Sequence, residues 1–209
     1  MTLIRGLQRE IEALYGVSTV PQIEDFLITT DQLRELAPSD DGLPKVLLAQ
    51  DGEGVRLSIH LGDEVQRRVE STQAPELEDF CIVAEEISHF IYLCFRAQID
   101  APVSKLDLEV QAEIDKFILA TRFFPAEGSL FERLFEDFRI REGIAQDERE
   151  RYREANRLAA RFSRMISRDL DPDPSEALAG FLAGLYRMDS PRRLCKIESL
   201  GMSRSVPHR

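Results

Sequence analysis

The sequence has few of the features that point to a nucleic-acid-binding or membrane protein. Among its 209 residues, only 27 are Lys or Arg against 38 Asp or Glu, which gives a net charge of −11. This shortage of positive charge argues against nucleic acids or anionic membranes as the main partner. No apolar run approaches the roughly 18 residues that span a bilayer, and Arg5, Arg9 and Glu10 interrupt the first apolar residues. We therefore expect a cytoplasmic protein.

Cysteine is also scarce. The three cysteines, Cys81, Cys94 and Cys195, are odd in number and have no C-x-x-C spacing. Most of their neighbours in the sequence are apolar, which is typical of buried, reduced thiols. The pattern argues against a disulfide framework and against a metal site built from cysteine.

Hydrophobic periodicity predicts a mainly helical α+β fold. An apolar-rich segment at 45–50 and an alternating segment at 55–61 flank a glycine-containing turn and predict an antiparallel β-hairpin, and a short strand is predicted at 25–30. Helices are predicted at 2–15, 63–70, 77–97, 106–123, 130–142 and 146–168, followed by a last helical pair capped by Ser175. We expect the hairpin to pack on a central buried helix at 77–97. The predicted organisation is a core at 1–125 and a C-terminal helical extension at 126–209, packed together as one compact unit.

The central helix carries charge where charge is least expected. It is apolar nearly all round, yet Glu85, Glu86 and His89 lie in its middle. At about 100° per residue, Glu85 and His89 are only about 40° apart around the helix, with Glu86 on the same flank. Unpaired charges are costly to bury, so these side chains need partners.

The string E-E-I-S-H at residues 85–89 resembles the H-E-x-x-H helix of the zincin metallopeptidases. In that family the residues at i and i+4 bind the metal and the carboxylate at i+1 is the general base. The resemblance implies that Glu85 and His89 are metal ligands and that Glu86 is the catalytic base. Glu85 stands where the family has its first histidine.

A following helix supplies the third ligand in the glutamate-ligand branch of the family. Glu109 lies 20 residues after His89, a separation similar to the thermolysin-type arrangement, and Glu113 lies one helical turn later, where the family has a carboxylate that supports a ligand. The segment 109–117 also resembles the E-x-x-A-[N]-x-F-A helix of small phage and anti-repressor metallopeptidases. It differs in having Glu113 in place of Asn and extra spacing before Phe117.

The resemblance implies a divalent metal, a hydrolase and a protein or peptide as partner. Two carboxylates and one imidazole form a harder and more anionic ligand set than the usual zinc site, so Mn²⁺ and Fe²⁺ join Zn²⁺ as candidates. Such a set lowers the Lewis acidity of the ion. The implied protein is thus a degenerate zincin, either weakly active or inactive as a metal-dependent peptidase.

A second interpretation needs no metal. Glu85, Glu86 and His89 could form a buried polar network in a non-enzymatic interaction or regulatory protein, with Arg96, about three turns from Glu85 on the same flank, neutralising a carboxylate. His60 is expected on the solvated face of the second strand, the alternative being that it lines a cleft beside the helix. Nothing in the sequence indicates the oligomeric state.

Overall fold

A computed structural model describes residues 2–19, 21–51, 54–71, 75–125, 129–141, 143–170 and 175–202 of the chain. Two strands and eight α-helices follow one another in these residues. In chain order they are α1 (Leu3–Tyr15), α2 (Thr30–Leu36), β1 (Lys45–Asp51), β2 (Gly54–His60), α3 (Asp63–Ser71), α4 (Leu77–Gln98), α5 (Lys105–Phe123), α6 (Gln146–Ile166), α7 (Glu176–Tyr186) and α8 (Ser190–Met202). The fold is mainly helical with a two-stranded antiparallel sheet, as the sequence predicted.

The hairpin pairs β1 with β2 in antiparallel register from Lys45 opposite His60 to Asp51 opposite Gly54. The short strand predicted at 25–30 is wrong. A 3₁₀ turn occupies Ile23–Phe26, and only Leu27 bridges the sheet, beside Ile59 of β2.

The prediction of a solvated His60 is also wrong, because its side chain is fully buried. Its ring nitrogens lie 3.0 Å from Thr30 Oγ1 and 3.1 Å from the carbonyl oxygen of Leu43. These partners come from α2 and from the segment before β1. α2 was not predicted, although Thr29 and Gln32 form a capping box at its start. His60 therefore joins α2 to the sheet and does not line a cleft beside α4.

The central helix α4 is buried as predicted and packs against α1, α5 and the hairpin. After a turn, Ser104 begins α5 by accepting a hydrogen bond from the backbone N–H of Asp107 at 3.1 Å. α5 then runs back along α4, and its other side packs against α6. Glu109 of α5 is therefore placed between His89 of α4 and Arg151 of α6.

The C-terminal helices contact the earlier part of the chain, since α6 packs on α5 and α7 packs on α1. Ser175 caps α7 as predicted by accepting a hydrogen bond from the backbone N–H of Leu178. The helix predicted at 130–142 is instead a short π-helical segment, Glu132–Glu136. The predicted breaker at 169–174 begins at the end of a 3₁₀ turn, Ser167–Asp169. Its residues 171–174 and the predicted frayed end at 203–209 lie outside the described residues.

All three cysteines are free, as predicted, but Cys195 is exposed. Cys81 lies near the acidic cluster of α4 and α5, and burial raises the pKa of its thiol to about 12. It remains protonated at neutral pH and is a poor metal ligand in that form. Within the part of the chain that is described, no helix combines the length and apolarity needed to cross a bilayer.

Candidate metal centre

The three residues predicted as ligands come together between α4 and α5. Glu85, His89 and Glu109 each offer one ligand atom, and these atoms lie within 4.8 Å of one another. His89 Nε2 is 3.5 Å from Glu109 Oε2. The proximity follows from helix geometry, because Glu85 and His89 share a flank of α4 and α5 returns along that flank.

His89 lies between two carboxylates, one at each ring nitrogen. Its Nδ1 is 3.7 Å from Glu86 Oε2, and its Nε2 faces Glu109. Both Glu86 Oε2 and His89 Nε2 are buried without a hydrogen-bond partner, although the two residues are only 5% and 8% exposed. Arg151 Nε of the same cluster also lacks a hydrogen-bond partner. Buried polar atoms are nearly always hydrogen-bonded in folded proteins, so three such atoms mark the cluster as unusual.

The pKa values of His89 and Glu86 are both raised, although burial acts on the two side chains in opposite senses. Burial lowers the pKa of His89, but the carboxylates of Glu109 and Glu86 outweigh it and raise the pKa to about 10. Burial raises the pKa of Glu86 despite the neighbouring imidazole. In this arrangement His89 carries a proton at neutral pH, and a metal that binds its nitrogen must displace that proton.

Lys116 is the principal cation on Glu85. Its Nζ lies 2.8 Å from Glu85 Oε2 and 2.7 Å from Glu113 Oε1, and the residue is only 9% exposed. Burial alone would raise the pKa of Glu85, but Lys116 and His89 bring it below its ordinary value. Burial raises the pKa of Glu113 in spite of the same lysine.

A third helix, α6, adds charged side chains to the cluster next to Glu109 of α5. Arg151 Nε lies 3.6 Å from Glu109 Oε1, and Arg151 Nη2 lies 3.2 Å from Glu148 Oε1. The hydroxyl of Tyr152 donates to Glu148 at 3.3 Å. Burial, Glu109 and Glu148 together raise the pKa of that hydroxyl above its ordinary value.

Linked by these contacts, the cluster holds more negative than positive charge. Its five carboxylates face three groups that can be cationic: Glu85, Glu86, Glu109, Glu113 and Glu148 against His89, Lys116 and Arg151. Even with a protonated imidazole two negative charges remain uncompensated within the set. Such an excess is relieved by protonating carboxyls or by binding a cation.

Sequence reasoning missed Lys116, Arg151 and Tyr152. Lys116 left a signal, since it follows Glu113 by three residues on the stripe that carries Glu109. Arg151 left none, because its approach depends on how α6 packs. Arg96 was the wrong choice of counter-charge: its guanidinium donates to the carbonyl oxygens of Met188 at 2.7 Å and Pro102 at 2.8 Å.

The donor set fits a divalent cation. Ligand atoms about 2.1 Å from a tetrahedral ion are about 3.4 Å apart, close to the 3.5 Å between His89 Nε2 and Glu109 Oε2. The third carboxylate, Glu85, has a partly exposed side chain, at 29%, and can turn without moving α4. That these residues bind a metal stays a prediction.

The opposite face of α5 carries a second polar cluster, in which a carboxylate and a guanidinium pair with each other, although Arg193 Nε has no hydrogen-bond partner. Asp107 pairs with Arg193 of α8 and accepts hydrogen bonds from Tyr92 at 2.8 Å and Ser190 at 2.6 Å. Arg193 also donates to Gln111, and Asp107 and Arg193 are 0% and 1% exposed. This cluster holds α5 against α4 and α8 and leaves the face with Glu109 turned toward His89.

The fold and the site define a mainly helical α+β protein with a buried carboxylate–imidazole cluster. A scan against protein-family models and searches of curated proteins and solved structures gave no match. The zincin resemblance therefore depends on the residues of the cluster alone and stays a prediction.

Proposed function

We propose that this protein binds one divalent cation, Zn²⁺, Mn²⁺ or Fe²⁺, through Glu85, His89 Nε2 and Glu109. The observation that carries the proposal is the unpartnered, buried Nε2 of His89, which faces Glu109 at 3.5 Å inside a cluster with excess negative charge. A divalent ion would supply the missing partner to Nε2 and the missing positive charge together.

Glu86 supports this role from the other side of the imidazole. Its Oε2 lies 3.7 Å from Nδ1, and a small approach would let it accept a hydrogen bond from the Nδ1–H and hold Nε2 toward the ion. Histidine ligands are commonly oriented in this way. The contact ties Glu86 to His89, so the general-base role that the resemblance implies requires the carboxylate to turn away from Nδ1 toward a water.

We propose further that the protein is zincin-like and a weak or inactive metal-dependent peptidase. A bound divalent ion supplies Lewis acidity to a water and to a peptide carbonyl. Two features of this chain weaken that chemistry: Glu85 adds a second anionic donor, and Glu86 is engaged by His89. Glu113 is linked to the proposed ligand Glu85 through Lys116, which contacts both carboxylates.

A competing function has its own supporting observation. Lys116 already bridges Glu85 and Glu113, so part of the cluster is neutralised without an ion. On this alternative, the cluster is a buried polar network within a non-enzymatic interaction or regulatory protein that binds a protein or peptide. The two candidates differ in whether the protein gains stability from added metal.

Added Mn²⁺ or Zn²⁺ at about 100 times its Kd is expected to stabilise the protein by about 2.7 kcal/mol. For a chain of this size the gain corresponds to a rise in Tm of roughly 5–10 °C, which thermal unfolding can measure. Glu109→Gln keeps the shape of the side chain but removes a charged ligand, so it should lose most of the rise.

Glu78→Gln is the matched control, since Glu78 is an exposed carboxylate on α4. It should keep the full rise in Tm. An unchanged Tm in the unmodified protein at millimolar metal would contradict metal binding and favour the polar network.

A further inference from the structure

Lys116 forms an ion pair with a carboxylate, that of Glu85, which a bound metal ion would also use. Its ammonium reaches Glu85 Oε2 at 2.8 Å from α5, and Glu85 is one of the three proposed ligands. Its second contact, to Glu113 at 2.7 Å, lies within α5 at an i, i+3 spacing. Glu113 can therefore hold the ammonium in place after Glu85 has turned away.

We propose that Lys116 is an internal competitor for the metal: it holds Glu85 when no ion is present and sets the affinity of the site. The inference rests on the proposed function, since it assigns a control of the same site. It follows from geometry and charge, because the ammonium draws the Glu85 carboxylate toward itself and neutralises part of its negative charge, which makes Glu85 a weaker ligand for a metal ion. The ammonium also repels a divalent ion at close range in a site where water screens little.

The contact should lower affinity without abolishing binding. Glu85 has the most exposed side chain of the three proposed ligands, at 29%, whereas those of His89 and Glu109 are at 10% and 12%. An ion would thus bind first to His89 and Glu109, whose side chains are buried, and then to Glu85 after the Glu85 carboxylate has moved away from Lys116. A cation therefore binds all three residues only if its interaction with Glu85 is stronger than the ion pair between Glu85 and Lys116 that it breaks.

Mn²⁺ titration of metal-free protein, followed by the spin-resonance signal of free Mn²⁺, tests the assignment. Lys116→Met is expected to bind Mn²⁺ at least about tenfold more tightly than the unmodified protein. Lys105→Met is the control because Lys105 is an exposed lysine on the same helix. It removes the same charge from the chain but should leave the affinity within about twofold.

A second variant separates competition at Glu85 from total charge. The double variant Lys116→Gln with Glu113→Gln removes one charge of each sign, so the net charge of the cluster is unchanged. It should also bind Mn²⁺ more tightly, because Glu85 is released. Lys116→Met leaves two carboxylates without their lysine. If that variant does not fold, the Mn²⁺ affinity of the double variant alone tests whether Lys116 competes for Glu85.

The outcomes distinguish this inference from the proposed function. Tighter Mn²⁺ binding by the Lys116 variants than by the unmodified protein, with Mn²⁺ bound by both, supports the inference. Equal or weaker binding by these variants, with Mn²⁺ bound by the unmodified protein, overturns the inference and leaves the proposed function standing. No Mn²⁺ bound by any folded variant overturns both.

Discussion

Replacing Arg193 with methionine is expected to lower the free energy of unfolding by about 3–5 kcal/mol, the range measured when a buried ion pair loses one partner. Arg193 is 1% exposed, and its partner Asp107 is fully buried. Without the guanidinium, Asp107 keeps only the hydroxyls of Tyr92 and Ser190 as side-chain donors. Chemical denaturation of the two proteins gives the difference directly.

Two further variants make this prediction specific. Arg157→Met removes an arginine from a pair with Glu154 whose side chains are 40% and 42% exposed, so it should cost less than about 1 kcal/mol. Adding Asp107→Asn to Arg193→Met removes the unpaired buried charge and should restore part of the loss. A double variant as unstable as the sum of its single variants would contradict the pairing.

The second large effect is a dependence of stability on pH in the metal-free protein. The folded state raises the pKa of His89 to about 10 because Glu109 and Glu86 outweigh burial, against 6.5 for an ordinary histidine. Above pH 6.5 the folded protein therefore holds a proton that the unfolded chain has lost. The contribution of His89 to the free energy of unfolding is fully present below pH 6.5. It is lost as the pH rises toward 10, by up to about 4 kcal/mol between pH 6.5 and 9.5.

Denaturation with a chelator present at several pH values measures this loss. His89→Gln should show a flatter profile, since the raised imidazole pKa is gone. An NMR titration that assigns the His89 ring by its absence from the variant supplies the pKa itself. A His89 ring that titrates near 6.5 in metal-free protein would contradict the described contacts with Glu86 and Glu109.

Local patterns in the sequence were enough to predict most of the fold. The hairpin follows from an apolar-rich segment and an alternating one on the two sides of a glycine-containing turn, and α4 and α5 follow from apolar residues at helical spacing. The segment at 25–30 failed because its apolar residues form a 3₁₀ turn and a single bridge to Ile59. A short apolar run does not by itself distinguish these conformations.

Helix periodicity predicted only that Glu85 and His89 share a flank of α4, whereas Glu109 as a third ligand was implied by the zincin resemblance. Glu85 and His89 share a flank of α4, and Glu109 faces them because α5 returns along α4. His60 was misplaced because alternation indicates which side of a strand a residue occupies, whereas the burial of that side depends on α2. The approach of Arg151 depends likewise on the packing of α6 against α5.

Lys116 bears on the proposed resemblance to the zincins. Their H-E-x-x-H helix has a neutral imidazole at the position that corresponds to the negatively charged Glu85, and Lys116 Nζ lies 2.8 Å from Glu85 Oε2. The two residues can be understood as a compensating pair, which keeps the cluster tolerable when no ion is bound. The same pair weakens the site as a metal centre, so metal affinity separates the two candidate functions more clearly than peptidase activity does.

The most direct test of metal binding is a count of bound ions per chain. Metal-free protein is dialysed against excess Zn²⁺ or Mn²⁺, returned to metal-free buffer and assayed by elemental analysis, with His89→Ala treated in parallel. The predicted result is one ion per chain in the unmodified protein and none above the blank in the variant. Equal metal contents in the two proteins, or no metal in either, would contradict the assignment of Glu85, His89 and Glu109 as a metal site.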